Sequence, residues 1–260
     1  MRLRKSQTYR AESITLRRSD LGEADRILTL YTREHGKRRA VARSVRRPQS
    51  RLAGHIELFT HAEVFLAVGT NLDVLTQATA IEVFPAIADD LVRFAGASWA
   101  AELVDRLTPE DEADPQLFAH LLETIRVLAG DQGHEHMHLR HFEILALNTL
   151  GYRPHLDSCV SCGRDLEERT NVFSPVAGGV LCPSCSPPDA AIRISPSALK
   201  VMRWMRTQPI GAGSRLRIGE ELEIELERLH TAYLSEILGG EMRSASLLAR
   251  ARSRPKITAV

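Results

Sequence analysis

Two stretches of the 260-residue chain have the residue types of a metal site. The first, GHEHMHLRHFE at 133 to 143, places His134, Glu135 and His138 in the pattern His-Glu-x-x-His, with which zinc hydrolases hold a metal and position a general base. The second consists of two Cys-x-x-Cys steps, Cys159 with Cys162 and Cys182 with Cys185, separated by the nineteen residues 163 to 181. That separation suits a four-cysteine zinc site better than two disulfides or four unconnected thiols. Each step can span one edge of a tetrahedral Zn²⁺ at Zn–S distances of about 2.3 Å. Between them, NVFSPVAGGVL reads as two short strands turning at Gly178 and Gly179, so the second pair returns to the first. The expectation is a zinc ribbon holding one Zn²⁺. Four thiolates leave no position for water or substrate, which makes the metal structural.

The histidine pattern has weaker support. A working hydrolase needs both histidines one turn apart inside a stable helix, a third ligand and an open metal position. His134 follows the loop GDQG, at or before the start of the helix. The positions that would extend the motif to a further glycine and histidine hold His141 and Ile144. His138 shares a helix face with Phe142 and Leu145, so a histidine at the edge of a core is the simpler account. His141, Phe142 and Glu143 could imitate a deaminase site with one cysteine pair, but Cys159 and Cys162 would then go unused. A zinc hydrolase built on His134, Glu135 and His138 stands as the alternative reading.

A third stretch, KRRAVARSVRRPQSR, gathers Lys37, Arg38, Arg39, Arg43, Arg46, Arg47 and Arg51 with no acidic residue among them. Guanidinium groups match phosphate because two N–H donors lie in one plane. The net charge of +1 conceals an asymmetry: residues 1 to 51 carry +10 and the remainder −9. A basic module joined to an acidic body suggests that one part meets a polyanion, although basic runs are often only solvated faces. Arg39 and Arg43 are expected on one strand face, with Arg46, Arg47 and Arg51 on the following proline-bearing loop. Aromatic interleaving is thin. Tyr31, Phe59 and Phe65 are close by in sequence, and some of them are expected to fill the core.

The elements that must carry these residues follow from periodicity. Five segments rich in β-branched and aromatic residues lie near 11–17, 26–33, 38–45, 56–68 and 72–82, in the fourth of which Ile56, Leu58, Val64, Leu66 and Val68 are expected to share a face. Five short strands in about 75 residues fit a small closed barrel, since closure removes exposed edges, and such barrels serve as platforms for single strands. After Pro85 the pattern becomes helical. Val92, Ala95, Trp99, Leu103 and Leu107 form one stripe, and Phe118, Leu121, Ile125 and Leu128 another behind the cap Asp114-Pro115. Further helices are expected over 136–150, from Ser195-Pro196, and through Leu222, Leu226, Leu229, Tyr233 and Ile237 to Gly239. The last twenty residues read as a basic flexible tail. With neither a signal-like leader nor a run of about 18 apolar residues, a cytoplasmic location is expected, where cysteines serve as ligands more often than as disulfides.

LRRSDLGEADRILTLYTREHGKRRAVARSVRRPQSR, LALNTLGYRPHLDSCVSCG and FSPVAGGVLCPSC, in that order, resemble the bacterial RecO family of recombination mediators. The resemblance covers residues 8 to 240. It implies an α+β multidomain chain: an OB-fold over 1–82, a helical domain over 83–153 and 191–240, an inserted zinc-binding segment over 154–190, and a tail over 241–260. It further implies a non-enzymatic, nucleoid-associated protein that binds single- and double-stranded DNA and anneals strands. Its implied partners are RecR and the single-stranded-DNA-binding protein, with RecA loading as the outcome. One departure is visible. Ser44 stands where the family commonly has a glycine before the basic loop, and glycine tolerates positive φ far better than serine does.

Overall fold

The computed structural model describes residues 7–130, 135–185 and 192–253. Two compact units, Met1–Ala129 and Gly130–Val260, divide the chain.

In the first unit, β1 (Thr8–Leu21), β2 (Asp25–Thr32), β3 (Gly36–Ala42), β4 (His61–Ala67) and β5 (Asp73–Glu82) close into a barrel in the order β1-β2-β3-β5-β4. The period of two sends Leu28 and Leu30 inward with Ala11, Ala40, Ala42, Val64, Leu66 and Leu75. Small side chains on β1, β3 and β4 suit the narrow interior that five strands enclose. Strand β1 is long enough to serve two neighbours. Its first half pairs with β4 and its second with β2, with a bulge between Thr15 and Arg17 that bends it around the barrel. The segment expected as one strand over 56–68 divides: Ile56 reaches the core from a 3-10 turn, Val64 and Leu66 lie in β4, and Val68 is exposed.

Closure depends on the parallel pairing of β3 with β5, which registers only Ala40 with Asp73 and Val41 with Val74. A polar clasp reinforces this seam. Arg38 donates from Nη2 to Asp73 Oδ2 at 2.9 Å and from Nε to the Tyr9 hydroxyl at 2.8 Å. Tyr9 in turn donates to Asp73 Oδ2 at 2.5 Å, and Asp73 Oδ1 accepts from the Gly69 amide at 3.1 Å. Asp73 is buried, so its charge depends on these donors. Burial, and then the hydrogen bond to Asp73, hold the Tyr9 phenol well above its ordinary value.

Helices α1 (Pro85–Ala88), α2 (Leu91–Leu107) and α3 (Pro115–Gly130) complete the unit. Asp90 and Asp114 cap α2 and α3, each accepting two amides of the first turn. The outward-facing aromatics meet these helices: Tyr31 stacks on Phe118 with centroids 6.4 Å apart, and Phe59 meets Phe94 edge-on at 5.5 Å. Tyr31 and Phe59 are thus buried in the core as expected, but against the helices, and the barrel cluster itself is built of aliphatic residues.

In the second unit, α4 (Glu135–Thr149) is buried continuously from Met137 to Leu147. Around it lie a small sheet ordered β7-β6-β8, of β6 (Asn171–Ser174), β7 (Gly179–Leu181) and β8 (Ile192–Ile194), with α5 (Pro196–Met205), α6 (Glu220–Leu238) and α7 (Ala245–Ser253). Ser195 caps α5 by accepting from the Ala198 amide, and Gly239 ends α6 at φ 65°. The helices read together as one domain thus fall into both units. Part of the expected tail is helical, because Met242, Leu248 and Ala251 supply apolar contacts and are buried. Residues 254–260 of that tail lie outside the described residues.

The clasp gives a stability expectation. Arg38→Ala should cost about 2–4 kcal/mol, because it strips a buried carboxylate of its cation, whereas Tyr9→Phe should cost about 1 kcal/mol for one hydrogen bond. Urea unfolding followed by circular dichroism measures both. An Arg38→Ala midpoint equal to the parent's would show that the strand pairing alone closes the barrel.

Candidate nucleic-acid interface and metal site

The seven clustered cations separate by environment. Lys37 is half-buried and donates from Nζ to the Asp105 carbonyl at 2.6 Å, with the Asp105 carboxylate 3.4 Å away. Arg38 is held by the clasp and also pairs with Asp111. Neither side chain faces solvent freely, so the barrel takes two residues out of the expected basic ridge. The other five are exposed. Arg46 pins the loop to the β1–β2 turn, through Gly22 O at 3.2 Å and Asp20 at 3.5 Å. Among the described residues, no carboxylate pairs with Arg39, Arg43, Arg47 or Arg51. Arg43 lies in the turn after β3 and not on the strand with Arg39.

Ser44 answers the question raised by its position. It adopts φ 52°, the left-handed conformation that a glycine would occupy with less strain. Its amide donates to Asp25 Oδ1 at 2.7 Å, and the Arg46 and Arg47 amides bond Ala24 O and Ser44 O. Val45 is buried in the barrel core, which anchors the turn from below. The loop therefore keeps the backbone shape expected of glycine and projects its arginines outward.

The four cysteines converge as the spacing implies. The β6–β7 hairpin turns at Gly178, φ 73°, and residues 155–160 run along β7 through His155 to Gly178, Val180 to His155 and Val160 to Val180 hydrogen bonds. A Cβ on Gly179 would sit 2.3 Å from His155 O, so only glycine permits this approach. Each Cys-x-x-Cys closes on itself, with the Gly163 amide on Cys159 O and the Cys185 amide on Cys182 O. All four Sγ atoms lie within 4.8 Å of one another, and Cys162 and Cys182 are 3.9 Å apart. A tetrahedron with bonds of about 2.3 Å has edges of about 3.8 Å, so one ion fits among the four sulfurs. Burial opposes a Cys159 thiolate, but the amides of Cys182, Cys162 and Ser161 outweigh it and bring the thiol down to about 6. Cys185 is pushed up to about 11 by hydrogen bonding first to Cys162 and then to Cys182.

The histidine motif separates from this site. His138 and His141 are fully buried, and His141 Nε2 donates to Gln208 O at 2.9 Å while its ring packs on Trp204. Burial drives the His141 ring toward its neutral form. Glu143 is paired with Arg140 at 2.9 Å and with His230 at 2.8 Å inside the core. Glu135 opens α4, and His134 lies outside the described residues. A wholly buried His138 offers no open metal position. Among the described residues, the four cysteines are the one metal-ligating group.

Comparison with known proteins decides the family. The profile described as recombination protein O C terminal matches residues 88–246, and that described as recombination protein O N terminal matches residues 5–84. The chain belongs to the RecO family. It is 44% identical over 245 residues to the DNA repair protein RecO of Roseiflexus sp. (strain RS-1), covering 94% of this chain and 86% of that one. The proteins of the same name from Symbiobacterium thermophilum and Dehalococcoides mccartyi (strain 195) are 36% and 37% identical. They cover 94% and 92% of this chain, and 98% and 94% of their own lengths. The closed five-stranded barrel is thus the family's N-terminal OB-fold. Among the described residues, no helix is long and apolar enough to cross a membrane.

Sequence reasoning about the site missed the partners that hold Lys37 and Arg38. Asp73 and Asp105 lie 35 and 68 residues away, a separation no local pattern reports.

Two outcomes are expected. Ser44→Gly should raise stability by about 0.5–1 kcal/mol through relief of left-handed strain, read as a higher urea midpoint. A lower midpoint would mean that the serine side chain itself supports the turn. Elemental analysis of protein purified without chelator should find about one metal ion per chain, and Cys162→Ser should lose it together with thermal stability. Metal-free parent protein with unchanged stability would contradict this.

Proposed function

We propose that the protein binds DNA through the exposed arginines beside its barrel and acts in DNA repair and recombination as a mediator, not as an enzyme. The observation that carries the reading is the set Arg39, Arg43, Arg47 and Arg51, exposed and without carboxylate partners among the described residues, with Arg46 anchoring their loop. Unpaired guanidinium groups are free to bind phosphate without first breaking an ion pair. The small barrel offers a groove that single strands occupy in other OB-folds. Phosphates are alike in every sequence, so the ridge suits a protein that must accept single-stranded and double-stranded DNA of any sequence and bring strands together for annealing.

In this reading the four cysteines hold Zn²⁺ as a structural ion. Thiolate donors suit zinc, and with all four positions filled the ion ties residues 155–185 into one fold without activating water. The chain's own amides stabilise the Cys159 thiolate, so that ligand is prepared before the ion arrives. Family membership supports the remaining parts: work in the cytoplasm at the nucleoid with RecR and the single-stranded-DNA-binding protein, toward RecA loading.

Three to five phosphate contacts predict that the logarithm of single-strand affinity falls against the logarithm of salt with a slope of about −2 to −3.5. Replacing Arg43, Arg46 and Arg47 together by Ala should weaken binding to every sequence and flatten the slope by roughly 2. Fluorescence anisotropy with labelled oligonucleotides at several salt concentrations measures both. An unchanged affinity and slope would make the ridge a solvated face.

A further inference from the structure

Next to the ridge is a cavity of about 180 Å³ whose walls come from β3, the β4–β5 loop and the segment after α2. It is smaller than the roughly 300–1,000 Å³ of sites that take drug-sized ligands, and of a size for one heterocyclic ring. Its lining is almost entirely polar and mixed in sign: Arg38 and Arg39 from β3, Asn71 from the loop, Asp73 from the start of β5, Glu110 and Asp111 from the third wall. Arg38 pairs with both Asp73 and Asp111, so these three side chains are engaged with one another. The exposed polar side chains left to meet a ligand are Arg39, Thr70, Asn71 and Glu110. Among the described residues, no cation pairs with the Glu110 carboxylate. An anion alone would be repelled by Glu110, so the cavity is not a simple phosphate site. A neutral group carrying both donors and acceptors matches it.

Both walls beside β3 are tied down by backbone contacts. The β4–β5 loop is tied by the Gly69 amide to Asp73, and a Cβ on Gly69 would lie 1.8 Å from Leu72 O. The segment bearing Glu110 pairs with Lys37 as a parallel bridge, and the Asp111 amide donates to Lys37 O at 3.2 Å. Its closeness to the barrel is set by Gly36, at φ 65°, whose Cβ position lies 2.0 Å from Glu112 O. A preformed cavity loses little entropy on filling.

We propose that this cavity receives one base of the strand whose phosphates Arg39 and its neighbours hold, and that Glu110 accepts a hydrogen bond from the base's exocyclic amine. The inference rests on the DNA reading above and adds base selectivity to it. Cytosine offers an N4 amine to a carboxylate, whereas thymine presents its O4 acceptor at the corresponding position and is repelled. Asn71 carries both a donor and an acceptor and can pair with the remaining edge of the ring. Arg39, at the mouth, remains on phosphate. The ridge supplies affinity without discrimination, and the cavity adds a preference for amine-bearing bases.

Anisotropy with labelled oligonucleotides of fifteen deoxycytidines or fifteen thymidines tests this on the full chain. The parent should bind the cytidine strand about 3–10-fold more tightly, in the lower part of the range for a single specific base contact. Glu110→Gln should bring the two affinities together, because the amide can donate to thymine O4 as well as accept from cytosine N4, and should leave the salt slope unchanged. Asn71→Ala should reduce the preference in the same way. Equal binding of both strands by the parent, with the salt slope of the ridge intact, would overturn the cavity assignment and leave the ridge standing. A preference that survives Glu110→Gln would also overturn it. Failure of both strands to bind would remove the DNA reading and the cavity assignment together.

Discussion

The two-residue parallel pairing between β3 and β5 is the weakest link of the barrel, and the ion pair of Arg38 with Asp73 secures it. A parallel ladder so short contributes little by itself. Tyr9 from β1, Arg38 from β3, Asp73 from β5 and the Gly69 amide of the β4–β5 loop meet at one buried carboxylate, so four separate segments share a single point. A charge removed from water is costly unless fully paired, which makes this meeting point sensitive to any one partner. Its consequences extend outward. Arg38 also holds Asp111 and so steadies the segment that bears Glu110, while the strand it fixes delivers Arg39 to the surface.

This dependence divides a basic run that looks uniform in sequence. KRRAVARSVRRPQSR contains seven cations whose local context gives no reason to separate them. Strand alternation and burial do so. Lys37 and Arg38 find acceptors contributed by residues far along the chain, Arg46 finds Gly22 O and Asp20, and the other four find no carboxylate among the described residues. Ser44 shows a similar interplay. A serine held at φ 52° by Asp25 produces the loop shape that glycine gives at lower strain, so residue identity alone did not reveal whether the loop survived.

Much of the architecture was legible because its causes are local. Alternating apolar residues gave most of the strands to within a few positions, Asp114 and Ser195 marked helix starts, and Gly239 marked a helix end. The cysteine spacing pointed to a cluster, and Gly178 and Gly179 make the turn and close approach that assemble it. The illegible parts depend on distant partners. Strand β8 is three residues long and exists because β6 offers a free edge to Ile192–Ile194. Helix α7 carries two arginines in its last turn and looks solvated, yet Leu248 and Ala251 find a buried surface. The His-Glu-x-x-His stretch misleads for a related reason: it runs into a helix buried from Met137 to Leu147, where His138 and His141 pack in the core and Glu143 is paired with Arg140 and hydrogen-bonded by His230.

The central claim is the division of labour within residues 37 to 51, and arginine-selective modification followed by mass spectrometry tests it most directly. The free protein, treated with phenylglyoxal under native conditions, should be modified at Arg39, Arg43, Arg47 and Arg51 and spared at Arg38. Saturating single-stranded DNA should protect those four and leave Arg38 as it was. Ready modification of Arg38 in the free protein, or equal reactivity of the four exposed arginines with and without DNA, would contradict the account.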